Sequence, residues 1–299
     1  MRASLTDQDL GALEAARLEL SNPPPRLPPV TRIQFASSGT PTVSALQWRE
    51  DAPRIVLLHG GFENAHVWDL VSAQLDRPLV AVDLPGCGSS ERIESGTYWP
   101  PETNRLLSHV LRGGAPQRVA LVGLSYGGLV ALSLLEEIPD CISQVILLDV
   151  LPGSARAHAK RVVQWLEERP SGWSYAELER RWAELHPHRS ARFRRHQIVS
   201  SHTGQLDALV PNADCRPERW TPVPSFGHLW RALQIPRVSV TLLRAGRSRV
   251  VSDKQTERLL RLRPDALVYT LPDSGHHIPL HAPQALASIL EQLVPGSAA

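Results

Sequence analysis

The stretch Val119 to Leu135, VALVGLSYGGLVALSLL, sets Gly123-Leu124-Ser125-Tyr126-Gly127 where one apolar run gives way to another. A turn alone needs no serine at its tip. A strand that ends in Gly-x-Ser-x-Gly and restarts as a helix makes a sharp elbow, which lifts the serine oxygen above a sheet at a helix N-terminus. That is how a nucleophile for acyl transfer is presented, and Ser125 is the candidate. It needs a general base, and histidine titrates closest to neutral pH. Of 12 histidines, His276 in LPDSGHHIPLHAP follows a predicted strand and opens the loop before the last helix. His277 cannot point the same way and is expected to pack. The remaining histidines read as surface or cap residues, with His196 and His228 as candidates for touching substrate.

A developing oxyanion needs two backbone donors, and losing one removes roughly 3 kcal/mol of transition-state stabilisation. The amide of Tyr126 directly follows the nucleophile. The second is expected from His59-Gly60-Gly61-Phe62, with Gly61 the first choice and Phe62 the second. A carboxylate must then orient the histidine. Asp149 ends the run SQVILLD and keeps the chain order serine, acid, histidine. At the end of a buried strand it needs a partner, because an unpaired buried charge is costly. Asp83 ends VAVDLPG in the same way and reads as a loop organiser, so position alone does not decide. Asp253 is the alternative acid, although after Ser252 it sits where a helix first-turn acid belongs. A serine–histidine dyad without an acid is the third arrangement.

These residues require elements that carry them to one place. Thr6 caps a helix over Asp7 to Leu20, and SNPPPRLPPV stops it, so residues 1–30 read as a helix and a stiff proline-rich linker. TRIQFASS and TVSALQWR alternate as two hairpin strands. RIVLLHGG, PLVAVDLPG, RVALVGLS, SQVILLDV and RVSVTLLRAG are short continuous apolar runs, as buried parallel strands are, and DALVYTL follows. Helices are predicted from Pro101 to Leu111, after Ser125, from about Ser252 to Arg261, and from Pro283 to Leu293. Such β–α alternation means a mostly parallel sheet with helices on both faces, here built from residues 31–153 and 236–299. Residues 154–235 break the rhythm. Helix-like stretches at Ala155 to Arg169 and Tyr175 to Leu185 precede irregular segments rich in Pro, His and Arg. They read as a helical cap over the strand ends, where open α/β sheets bind ligands. Trp165, Trp182 and Trp230 are its candidate substrate contacts. The run Arg189, Arg192, Arg194, Arg195 reads as a solvated cap face or as an anion site.

Composition excludes several classes. The 299 residues are 42% hydrophobic and 21% charged, with a net charge of +2, which suits a globular protein and not a nucleic-acid binder. No segment approaches about 18 apolar residues, so no membrane span is expected. Three separated cysteines, Cys87, Cys141 and Cys215, form neither a CxxC pair nor a disulfide framework. A soluble, cytoplasmic protein is expected. No metal cluster, phosphate loop or dinucleotide fingerprint is present, so no cofactor or metal is called for.

Taken together, His59-Gly60-Gly61, the DLPGCGSS loop from Asp83 to Ser90, the GLSYGG elbow and SGHH resemble the α/β-hydrolase superfamily, and within it the capped lipase- and esterase-like serine hydrolases. The likeness runs from about Thr31 to Leu293. It implies an eight-stranded, mostly parallel sheet, a cap between strands six and seven, and a Ser–acid–His triad. Two departures stand out. Where such proteins commonly carry the acid, in Gly-x-x-Asp after strand seven, this chain has Arg249 three residues after Gly246, while some members place the acid after strand six, as Asp149 is. Where they usually carry a histidine, the DLPGCGSS loop has Cys87. The expected function is serine hydrolysis of a carboxylic ester, lactone or thioester of a small, apolar molecule. Alternatives are a C–C bond hydrolase or an acyl-transfer and cyclisation enzyme, and, from another class, a hydrolase-like small-molecule receptor.

Overall fold

A strand with one wet face alternates polar and apolar residues, whereas the central runs here do not. The computed structural model describes residues 1–37, 39–94, 96–100, 102–114, 118–168 and 172–295. It opens with β1 (Arg2–Ala3), α1 (Asp7–Glu19), β2 (Val30–Ser37) and β3 (Thr40–Trp48). Then come β4 (Ile55–Leu58), α2 (Asp69–Ser72), β5 (Leu79–Asp83), α3 (Glu102–Gly114), β6 (Val119–Leu124), α4 (Tyr126–Glu137) and β7 (Ile142–Leu148). The middle holds α5 (Pro152–Glu168), α6 (Tyr175–Leu185), α7 (Ala191–Ser201), β8 (His202–Gln205) and β9 (Ala208–Pro211). The chain closes with β10 (Ser239–Ala245), α8 (Asp253–Leu262), β11 (Leu267–Leu271), α9 (Ile278–His281) and α10 (Pro283–Leu293).

The main sheet runs β1-β2-β3-β5-β4-β6-β7-β10-β11. From β5 to β11 all neighbours are parallel, while β1, β2 and β3 join antiparallel. Along β4, Ile55 and Leu57 enter one apolar cluster and Val56 and Leu58 the other. The two-residue period thus feeds a core on each face of the sheet, which is why no polar residue interrupts the run. The sheet has nine strands where eight are expected. The ninth is β1, with Arg2 opposite Ile33, and two residues carry no readable pattern. Pro101 and Arg169, where the sequence reading begins one helix and ends another, lie outside the described residues.

α1 opens with a capping box between Thr6 and Asp9. Asp9 does more than cap, however. Its carboxylate pairs with Arg32 and lies 2.9 Å from His66 Nε2. Arg32 in turn reaches Asp83 at 2.8 Å, and His66 Nδ1 lies 2.7 Å from Asp69. All five side chains are buried, so the network fastens α1 to β2, to the end of β5 and to the segment after β4. His66, which reads as a surface residue in the sequence, sits inside it. Burial pulls its pKa down, but the Asp69 and Asp9 carboxylates more than offset this and push it up to about 10.

The inserted middle contains more regular structure than its sequence suggests. α7 and the β8–β9 hairpin occupy the segment expected to be irregular. α7 reads ARFRRHQIVSS, and only Phe193, Gln197, Ile198 and Ser200 are buried, too few for an apolar stripe. Its one legible mark is Ser190, whose Oγ accepts the Phe193 amide at 3.1 Å. The arginine run divides accordingly. Arg194 is bound to Glu179, and Arg189 donates to the Leu280 carbonyl at 2.9 Å while lying 3.7 Å from Glu19. Arg194 thus joins α7 to α6 within the cap, Arg189 ties cap to core, and neither is free for an anion. Among the described residues no helix is long and apolar enough to cross a membrane.

Candidate active site

Ser125 stands between β6 and α4 with φ 50° and ψ −114°, a left-handed conformation that a non-glycine residue adopts only under constraint. The constraint is visible in its neighbours. A Cβ on Gly123 would sit 2.5 Å from the Gly127 backbone, and a Cβ on Gly127 would sit 2.2 Å from the Leu58 carbonyl oxygen. Strand, helix and the end of β4 therefore approach more closely than any side chain permits. Two further non-glycine residues at this end of the sheet have positive φ, Phe62 at 64° and Asp149 at 49°.

β7 delivers Asp149 and the loop after β11 delivers His276. The imidazole Nδ1 lies 2.7 Å from Asp149 Oδ2, which leaves Nε2 for the cavity. Asp149 is 1% exposed, and its Oδ1 accepts the Ala245 amide at 3.3 Å. The alternative acid, Asp253, is elsewhere: on the first turn of α8, 84% exposed and 2.7 Å from Arg244. Ser125 and His276 line one cavity of about 280 Å³, together with Gly61, Phe62 and Tyr126. A hollow of about 400 Å³ beside Met1, Gln47 and Leu111 is larger, but neither serine nor histidine lines it.

The loop after β4 supplies amides to that cavity. The Gly60 amide donates to Glu63 Oε2 at 2.7 Å, and the Phe62 amide is hydrogen-bonded to the Cys87 thiol. Gly61 is the member of the loop outside these contacts, and a Cβ there would meet nothing within 4 Å. Tyr126 begins α4, so its amide is one of the free donors of that helix's first turn. His59 holds the loop from beneath: fully buried, it accepts the Leu84 amide on Nε2 at 2.9 Å and donates from Nδ1 to the Gly60 carbonyl. Burial pushes the Cys87 thiol well above its ordinary pKa, so Cys87 stays protonated and serves as packing and as an acceptor for Phe62.

Several residues escaped the sequence reading. Glu63 joins the two site loops, since its other oxygen lies 2.8 Å from His277 Nδ1. Burial raises the Glu63 carboxyl, but His277 and then the Gly60 amide outweigh it, and Glu63 titrates below its ordinary value. His277 is thus an ion-pair partner beside His276. His158, on α5, faces His276 with ring centroids 5.2 Å apart. Burial, and then the nearby His276 and Arg161 charges, lower it to about 4, so it is uncharged at neutral pH. Trp99 and Trp220 form an aromatic wall, 5.1 Å between centroids at 88°, with Phe62 4.7 Å from Trp220. Trp220 is one tryptophan among several in the cap and Trp99 lies in the loop before α3, and neither position signals which face it turns to a ligand.

The cap candidates separate. Trp165 and Trp182 line a second, adjoining cavity. Trp230 lines neither; it is buried with the Arg258 guanidinium 4.3 Å from its ring. His196 lies against Gly11 of α1 and His228 is exposed, and neither borders the Ser125 cavity. Among the described residues no group of three or more His, Cys, Asp or Glu could hold a metal ion.

Residues 55–289 match the alpha/beta hydrolase family. The esterase Rv0045c of Mycobacterium tuberculosis is 33% identical over 296 residues, 96% of each chain. A solved structure of that esterase superposes with a TM-score of 0.83 at 31% identity, over 96% of this chain and 98% of the other. The pimeloyl-[acyl-carrier protein] methyl ester esterase of Pseudoalteromonas atlantica is 36% identical over 104 residues, 33% of this chain and 38% of its own. E-2-(acetamidomethylene)succinate hydrolase shares the fold, with a TM-score of 0.76 at 22% identity over 87% of this chain and 98% of the other.

Proposed function

The chain belongs to the alpha/beta hydrolase family and is an ester-hydrolysing enzyme, and we propose that it works through Ser125, His276 and Asp149 by way of an acyl-enzyme. The observation that carries this reading is the 2.7 Å contact between His276 Nδ1 and buried Asp149, made at the rim of the cavity that Ser125 also lines. Asp149 fixes the tautomer, so Nε2 is the basic nitrogen. His276 takes the Ser125 proton as Oγ attacks the ester carbonyl. The tetrahedral oxyanion is held by the Tyr126 amide, aided by the dipole of α4, and by the Gly61 amide. His276 then gives its proton to the departing alcohol and activates a water, which releases the acid and restores Ser125.

Surrounding groups favour the charge that builds up. Asp149 stabilises the imidazolium directly. His158, uncharged at neutral pH, does not oppose it. The Glu63–His277 pair ties the oxyanion loop to the loop bearing the base, so donors and base keep a common frame. Trp99, Trp220, Leu129 and Val163 around the cavity suit a small, apolar substrate half. Thioesters and lactones present the same carbonyl to the same groups.

The test is turnover of a p-nitrophenyl acetate-to-octanoate panel by wild type and Ser125→Ala. The reading expects wild-type turnover and a loss on the order of 10⁴-fold or more in the variant. A variant that keeps wild-type turnover excludes Ser125 as the nucleophile.

A further inference from the structure

The cavity at Ser125 does not end at the scissile position. A second cavity of about 240 Å³ lies beneath the cap, and Phe62, Glu63 and His277 line both. The two chambers therefore meet along a sill formed by the oxyanion loop and the residue next to the base. The far walls are apolar and broad: Trp165 from α5, Trp173, and Leu178 and Trp182 from α6. Trp165 and Trp173 are stacked at 6.0 Å and 10°, and the Trp165 ring lies 6.3 Å from Phe62.

Two observations say that this space is for a ligand. Each chamber is smaller than the roughly 300 Å³ at which ligand cavities begin, whereas the two joined fall within the usual range. A substrate confined to the first chamber would leave the second without use. Further, Trp165 keeps 40% of its surface exposed and Leu185, also on the wall, 66%. Apolar surface left in water forgoes about 25 cal/mol per Å², and a bound apolar group recovers it. Trp173 is buried, with Arg181 over its ring, and Trp165 stacks on it with much of its own indole uncovered, an aromatic wall that favours an aromatic partner in an offset or edge-on arrangement.

We propose that this second chamber is a substrate subsite, and that the enzyme takes an ester of two unequal halves. One is small and sits against Trp99 and Trp220. The other crosses the Phe62–His277 sill and places an aromatic or comparably broad apolar group among Trp165, Trp173 and Trp182. The inference rests on Ser125 being the nucleophile.

The experiment is a chain-length series: p-nitrophenyl acetate, and p-nitrophenyl esters of phenylacetate through 6-phenylhexanoate, with the matching phenylalkyl acetates followed by acid release. Wild type is expected to show kcat/KM rising at least tenfold over the acetate once the chain is long enough to cross the sill, in the acyl series or in the alcohol series. In Trp165→Ala the ratio of the best phenylalkyl ester to p-nitrophenyl acetate falls about tenfold, and in Trp165→Phe it is largely kept. Because each value is a ratio within one preparation, partial misfolding cancels. Turnover with a flat profile in both series, or a ratio unchanged in Trp165→Ala, overturns the subsite alone. A wild type that hydrolyses no ester overturns the Ser125 reading and the subsite with it.

Discussion

Gly127→Ala adds one methyl group at the point where the elbow meets the sheet. Its Cβ would lie 2.2 Å from the Leu58 oxygen, 2.6 Å from the Leu58 carbon and 2.5 Å from the His59 oxygen. All three are backbone atoms, so no rotamer change relieves the contact, and ordinary packing begins near 3.4 Å. The start of α4 must retreat from the end of β4 by about 1 Å. Ser125 and the Tyr126 amide travel with α4, whereas Gly61 stays with the loop that continues from Leu58 and His59. The displacement therefore opens the gap between the two proposed oxyanion donors, which tolerate only a few tenths of an ångström around 2.7–3.1 Å. Losing one donor corresponds to about 10²–10³ in kcat, with KM little changed. Overpacking of this kind destabilises by about 1–3 kcal/mol, or roughly 2–5 °C in Tm for a chain of this size. Steady-state kinetics on p-nitrophenyl butyrate, with circular dichroism to confirm folding, measure both. A folded variant with kcat within threefold of wild type would refute the claim that this contact sets the oxyanion geometry.

Further outcomes follow from other parts of the site. Asp149→Asn should lower kcat on the order of 10⁴-fold and Asp253→Asn should leave it within twofold; the reverse pattern would move the acid to α8. Glu63→Ala removes the acceptor for the Gly60 amide and should lower kcat about tenfold, while Glu63→Gln, which can still accept, should restore most of it. The buried His66 has its folded pKa raised from 6.5 to about 10. Its contribution to stability is fully present below pH 6.5 and is lost as pH rises through about 10. Thermal melts from pH 7 to 10 should therefore fall more steeply for wild type than for His66→Gln; parallel slopes would mean the Asp9–Arg32–His66 network does not titrate as described.

Much of the setting of Ser125 was legible because its spacing is dictated sterically. Only glycine fits at 123 and 127, and only a strand before and a helix after Ser125 make that spacing meaningful. Asp149 was harder to read, since Asp83 ends an identical kind of strand; what separates them is that Asp83 receives Arg32 while Asp149 receives His276. Neither partner lies near in sequence. Glu63 and His158 left no signal for the same reason, since they reach His277 and His276 in the loop after β11 from the loop after β4 and from the cap. α7 escaped because an arginine-rich helix that meets its neighbours through four buried positions has no apolar period. The added strand β1 was invisible because two residues cannot alternate.

The account stands or falls on whether Ser125 is an activated nucleophile. Intact mass after exposure to a fluorophosphonate measures that directly, for wild type, Ser125→Ala and His276→Ala side by side. The account predicts one adduct on wild type and none on either variant. An unlabelled wild type, or an adduct that survives Ser125→Ala, would contradict it.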